Sequence, residues 1–215
     1  MKKQFLAIII LMLAIKVSAQ SDFSKKEIQI IEQASENGIL KILQTTNIKD
    51  SLLLRSNATA INANSQTLTK LYQLMLNTVK DTSNAGVGLA APQVGILKKI
   101  FVLQRFDKPN EPFEFMLNPT INWASNLIQN GREGCLSIPD TMGLVDRHYA
   151  LNVTYQNTDA QWITETIEGF TAVIFQHEFD HLYGILFLDR IQEQQAIKYY
   201  NNEQTFKYIN DKNRR

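Results

Sequence analysis

The sequence predicts an α+β domain in which mixed or antiparallel sheets pack around a helix. Three observations carry that prediction. Strand-like segments come first and a buried, helix-spaced segment comes late, so strand and helix do not alternate as they would in a doubly wound fold. The 215 residues are 44% hydrophobic and 20% charged, a composition suited to one packed core. No internal repeat or low-complexity segment points to a solenoid or a disordered chain.

Residues 1–19 stand apart from that core. Lys2 and Lys3 precede an apolar run from Phe5 to Ile15, and Val17-Ser18-Ala19 supplies the small residues at which signal peptidase cuts. This is the three-part pattern of a secretory signal peptide. The run is too short to span a bilayer, and Lys16 interrupts it, so no stable membrane span is expected after cleavage. The chain is therefore expected to be exported to a periplasm or the extracellular space. Cleavage after Ala19 removes three lysines and no acid, which moves the formal net charge from +1 by three units to −2. That balance argues against a nucleic-acid partner. A single cysteine, Cys135, excludes an internal disulfide; it is either a small core residue or a group that does chemistry.

The elements follow in order. Residues 20–39 read as an N-terminal helical extension: Ser24 and Glu27 have capping-box spacing, Ile28, Ile30 and Ile31 form an apolar face, and Asn37-Gly38 end it. Residues 38–62 read as extended and irregular. A second helix is predicted over 65–81, with Leu68, Leu71, Leu74, Met75 and Val79 at helical spacing. Strands are predicted over 98–106 and 111–119, and the segment 124–140 is expected to turn at Asn130-Gly131. Residues 148–169 alternate as two strands joined by a polar turn near Asn157 to Ala160. From Phe170 the spacing becomes that of a buried helix, with Val173, Ile174, His177 and His181 on one side. Residues 193–215 read as a polar tail or helix.

That last helix carries His177-Glu178-x-x-His181. Four residues apart on a helix, two imidazoles share a face and can bind one divalent metal, while Glu178 reaches a water on it. A hydrolytic site usually takes a third protein ligand. The long metalloprotease pattern ending in a further histidine fails here, because that position is Phe187. Glu203 is one candidate, which would make the chain a zinc endoprotease. Cys135 is the other, since a thiolate is a natural partner for two imidazoles. His148 reads as a surface or strand histidine. Spacing alone leaves the choice open.

The chain resembles the peptide deformylases. The resemblance rests on three stretches in matching order: GVGLAAPQ (Gly86 to Gln93), EGCLS (Glu133 to Ser137) and QHEFDH (Gln176 to His181). It extends over roughly residues 40–192, which are read as the catalytic domain. It implies Cys135, His177 and His181 as ligands of one divalent metal, Fe(II) by family habit, with Zn(II), Ni(II) or Co(II) as substitutes. It implies Glu178 as the acid–base group, with the Gln93 side-chain amide and the Leu136 backbone N–H stabilising an oxyanion. The implied reaction releases formate from N-formylated peptides. Gly86 and Gly88 allow close approach of an extended peptide, and Val87, Val173 and Ile174 would wall a pocket for an unbranched side chain such as methionine. Phe170 is assigned to core packing, and Asp180 is implied to pair with Arg147. A monomer is expected, and a relative that binds formyl peptides without turnover is the further alternative. Two departures stand out: a signal peptide on an enzyme of translation, and Pro139-Asp140 where Pro-Gly is the more usual pair.

Overall fold

The computed structural model describes residues 22–83 and 86–195. The segment 1–19 read as a signal peptide, Glu203 and most of the polar tail lie outside them. Among the described residues, no helix is long and apolar enough to cross a membrane.

Helix α1, Lys25–Asn37, begins at the expected capping box: Ser24 Oγ accepts from the Glu27 N–H, and Glu27 Oε2 accepts from the Ser24 N–H at 2.7 Å. It ends on Gly38 in the left-handed region, where a Cβ would be strained. Glu27 also accepts from the Leu97 N–H at 2.9 Å, so the extension is tied to the main body. Residues 38–62 are less irregular than their sequence suggests. They hold a short helix α2, Ile48–Leu54, capped by Asn47, whose Oδ1 accepts from the N–H groups of Lys49 and Asp50.

Helix α3, Thr67–Lys80, buries Leu68, Leu71, Leu74, Met75 and Val79, the stripe its spacing predicted. Each such side chain is worth about 1.5–3 kcal/mol on burial, which holds this helix against the sheet. The sheet has five strands in the order β1 (Gly88–Ala90), β2 (Ile100–Gln104), β3 (Phe113–Ala124), β6 (Ala150–Gln156) and β7 (Trp162–Glu168). Between β1 and β2, residues Ala91–Val94 form a 3-10 turn. Strands β4 (Ile128–Cys135) and β5 (Ile138–His148) make a separate hairpin.

All pairings between these strands are antiparallel, so the mixed sheet allowed by the sequence is corrected to antiparallel. The expected turn at Asn130-Gly131 is also corrected. Strand β4 runs straight through both residues, which face Asp146 and Val145, and the chain turns instead at Leu136-Ser137. Helix α4, Gly169–His181, packs on β1 and β2, with Phe175 edge-on to Phe101 at 5.1 Å between ring centres. A final helical stretch over 187–195, here α5, follows the left-handed Gly184.

Candidate metal centre and active site

The site forms where three elements meet: the edge strand β1, the tip of the β4–β5 hairpin and the last turns of α4. Two-residue alternation along β4 puts Glu133 and Cys135 on one face, turned toward α4. Helical spacing puts His177 and His181 on the face turned toward the hairpin. As a result, the ligand atoms of Cys135, His177 and His181 lie within 4.8 Å of one another. Cys135 Sγ is 3.3 Å from His181 Nε2. A thiol and two imidazoles at this spacing suit a tetrahedral divalent ion with one position left for water.

The shell behind these groups fixes their orientation. Glu133 Oε2 lies 2.9 Å from His177 Nδ1, which leaves Nε2 to face the centre. The same buried carboxylate accepts a two-pronged fork from Arg147, at 2.8 and 3.0 Å. Arg147 also donates to Asp180 at 2.7 Å, the expected pair, and Arg190 donates to Asp180 as well, at 2.5 and 3.0 Å. Gln176 hooks α4 to the β5–β6 junction, accepting from the His148 N–H at 3.0 Å and donating to the His148 carbonyl at 2.9 Å. The His148 side chain is exposed and its Nδ1 lies 2.6 Å from the Ser125 carbonyl oxygen, in keeping with the surface role expected of it. Phe187, where the long metalloprotease pattern has histidine, is buried and faces the His177 ring at 6.2 Å between centres.

The electrostatics follow from burial and these partners. Burial alone would raise the Cys135 thiol, but the charge of His181 and the hydrogen bond with His177 hold it well below the usual thiol range. That favours the thiolate, the metal-binding form. Burial would raise Glu133 too, yet its bonds to His177 and Arg147 hold it at about 2. Glu178 behaves oppositely. Desolvation pushes its carboxyl up to about 7, against the charges of His177 and His181. Its Oε2 is buried and has no hydrogen-bond partner among the described residues, an acceptor waiting for a proton or a water. A Cβ at Gly88 would lie 2.4 Å from Glu178 Oε1, so only glycine leaves room for this carboxylate. The glycine makes room for the Glu178 carboxylate.

Gln93 is buried in the 3-10 turn. Its Oε1 accepts from the Ala90 N–H at 2.7 Å, and this aims Nε2 at Cys135 Sγ (3.5 Å) and Ser137 Oγ (3.4 Å). The hairpin turn is clamped from outside: Gln44 Nε2 donates to the Leu136 carbonyl at 2.9 Å, and the Thr45 N–H donates to the Ser137 carbonyl at 2.9 Å. Gln44, Ser137, Arg190 and the orienting part played by Glu133 were not anticipated. Strand alternation in EGC carried a signal for Glu133; the others depend on contacts distant in sequence.

An open cleft of ≈ 870 Å³ leads to these groups. Its lining includes Gly86, Val87 and Gly88 at β1, Arg132 to Leu136 of the hairpin, and Val173 and Ile174 of α4. All the residues expected to contact substrate therefore face one cavity. Phe170 is corrected: it is 53% exposed, lines the cleft mouth and tilts against Phe106, so it is not a core residue.

The family model for polypeptide deformylase matches residues 39–196. The chain belongs to the peptide deformylase family. A peptide deformylase of Thermotoga maritima is 40% identical over 145 residues, covering 67% of this chain and 85% of the relative. One from Prochlorococcus marinus strain NATL2A is 33% identical over 193 residues, covering 89% and 93%. Solved structures agree. The T. maritima enzyme superposes with TM-score 0.63 at 34% identity, covering 71% of this chain and 97% of that one. The Acinetobacter baumannii enzyme, solved with Met-Ala-Ser bound, gives 0.62 at 34% identity over 71% and 98%. These relatives mark the chain as a peptide deformylase enzyme of a metal-dependent family, and the Cys/His/His group is its metal-capable centre.

Proposed function

We propose that this enzyme removes the N-formyl group from formyl-Met peptides and that it does so outside the cytoplasm. One observation carries the catalytic part: Cys135, His177 and His181 converge within 4.8 Å, and Cys135 and His177 line a cleft together with the buried Glu178. When bound there, a divalent ion supplies a Lewis acid that acidifies water and polarises a carbonyl. Fe(II) is the ion favoured by family habit; Zn(II), Ni(II) and Co(II) suit the same donors.

The chain's own residues supply the rest. Glu178, its carboxyl pushed up to about 7 by desolvation, takes the proton of the attacking water while ionised and returns it to the departing amine. Gln93 Nε2, held by the Ala90 bond, donates to the oxygen on which negative charge develops, together with the Leu136 N–H in the hairpin turn. The peptide lies extended between the β1 edge at Gly86–Gly88 and the hairpin strand β4. Val87, Val173 and Ile174 receive its first side chain. The A. baumannii relative with Met-Ala-Ser bound supports a peptide of this kind as ligand. The chain acts as a monomer.

Product analysis separates this reading from its rivals. Formyl-Met-Ala-Ser is expected to yield formate and intact Met-Ala-Ser in equal amounts. An endoprotease using Glu203 would instead leave the formyl group on a shortened fragment, and a binding protein would leave the peptide unchanged. Export rests on residues 1–19 alone. N-terminal sequencing of the protein from its native host should read from Gln20 in the extracytoplasmic fraction; an intact Met1 in the cytosol would refute export.

A further inference from the structure

Building on the deformylase reading, we infer that Arg132 selects short peptides with a free C-terminal carboxylate. The charged residues lining the cleft are Arg132, Glu133, Asp140, His177 and Glu178. His177 and Glu178 belong to the reacting end, and Glu133 is occupied by Arg147 and His177. Arg132 is therefore the arginine available to a ligand along the cleft wall. It is exposed and forms no ion pair with any described residue.

Its place along β4 sets which carboxylate it meets. Arg132 stands three residues before Cys135, about 10 Å along a strand rising about 3.3 Å per residue. A peptide paired beside β4 with its formyl group at the centre extends at a similar rate, so its third residue ends about 10 Å away. Arg132 shares a face of the hairpin with Gly134, and its cross-strand partner is the 60% exposed Leu144, beside the 63% exposed Met142. That face offers an apolar platform for the outer side chains with one cation at its end. Asp140 also lines the cleft, on β5 after Ile138 and Pro139, and is an acid that a carboxylate would not pair with. A chain still attached to its synthesis machinery has no carboxylate at its third residue, whereas a released tripeptide does.

The test compares formyl-Met-Ala-Ser as free acid and as C-terminal amide, with the metal-loaded enzyme at low and high salt. In parallel, calorimetry measures binding of deformylated Met-Ala-Ser acid and amide, which needs no turnover. An exposed ion pair predicts a preference for the acid of about 2- to 5-fold, seen in KM and in Kd. High salt should erode it. The ratio should fall to about one in Arg132→Gln and persist in part in Arg132→Lys. Equal treatment of acid and amide by the wild type, or a preference that survives Arg132→Gln, overturns the inference. Absence of formate from every peptide would count against the deformylase reading instead, while the calorimetric ratio would still decide the role of Arg132.

Discussion

A Cβ at position 88 would lie 2.4 Å from Glu178 Oε1 and 2.9 Å from the carboxyl carbon, so alanine there displaces the carboxylate and leaves the strand in place. Gly88→Ala should reduce kcat/KM by about 100-fold, the scale of a 1 Å misplacement, with little change in Tm. A second residue-scale consequence concerns Glu133. Exchanging it for Gln removes the charge from His177 Nδ1 and from the Arg147 fork together. Metal affinity, measured by competition with a chelator, should weaken by about 10- to 100-fold. The three residues that converge were legible in QHEFDH and EGCLS through the resemblance, as was the Asp180–Arg147 pair. The clamp on the hairpin turn beside Cys135 was not, because Gln44 reaches Leu136 across 92 positions in the chain.

At the scale of elements, the chain's punctuation explains both what was readable and what was not. The α1 cap and the α3 stripe were legible because Ser24, Glu27 and the leucines act within a turn or two of sequence. Asn130-Gly131 misled because turn residues are tolerated in an exposed strand. Gly131 has nothing within 4 Å, and continuous pairing from Ile128 to Gly134 outweighs its preference to turn. Helix α2 escaped notice because 7 residues make too short a window for periodicity. Phe170 looked like core because helical spacing gives a face without saying that the face borders a cleft. Gly184 is the element-scale test. It is left-handed, and a Cβ would sit 2.3 Å from the Arg55 carbonyl oxygen, which is backbone and cannot swing away. Gly184→Ala should therefore destabilise the fold by more than about 1 kcal/mol in a urea titration and loosen the junction between α4 and α5.

At the scale of the whole molecule, a buried arginine ties three strands together. Arg105 is 1% exposed and holds Asp107 and Glu114 at 2.7 Å and Glu165 at 2.6 Å, which joins β2, β3 and β7. Arg105→Ala leaves these carboxylates without their buried partner and should cost about 3–5 kcal/mol. The sign of the pH dependence follows. Despite burial, which alone would raise them, Arg105 holds the Asp107 and Glu165 carboxyls below their ordinary 3.8 and 4.5. Their contribution is fully present above those ordinary values and is lost as pH falls through the lowered ones. Stability should therefore begin to drop below about pH 4.5 and keep dropping as pH falls through the lowered values, with a shallower fall in Arg105→Ala; urea midpoints measured against pH check this. The most direct test of the central claim is formate release by residues 20–215 from a formyl-Met peptide, comparing wild type with Glu178→Ala at equal metal content. Formate from the wild type, reduced about 100- to 10,000-fold in the variant, is the predicted result. Equal release from both proteins, or none from a wild type that holds its metal through Cys135, would contradict it.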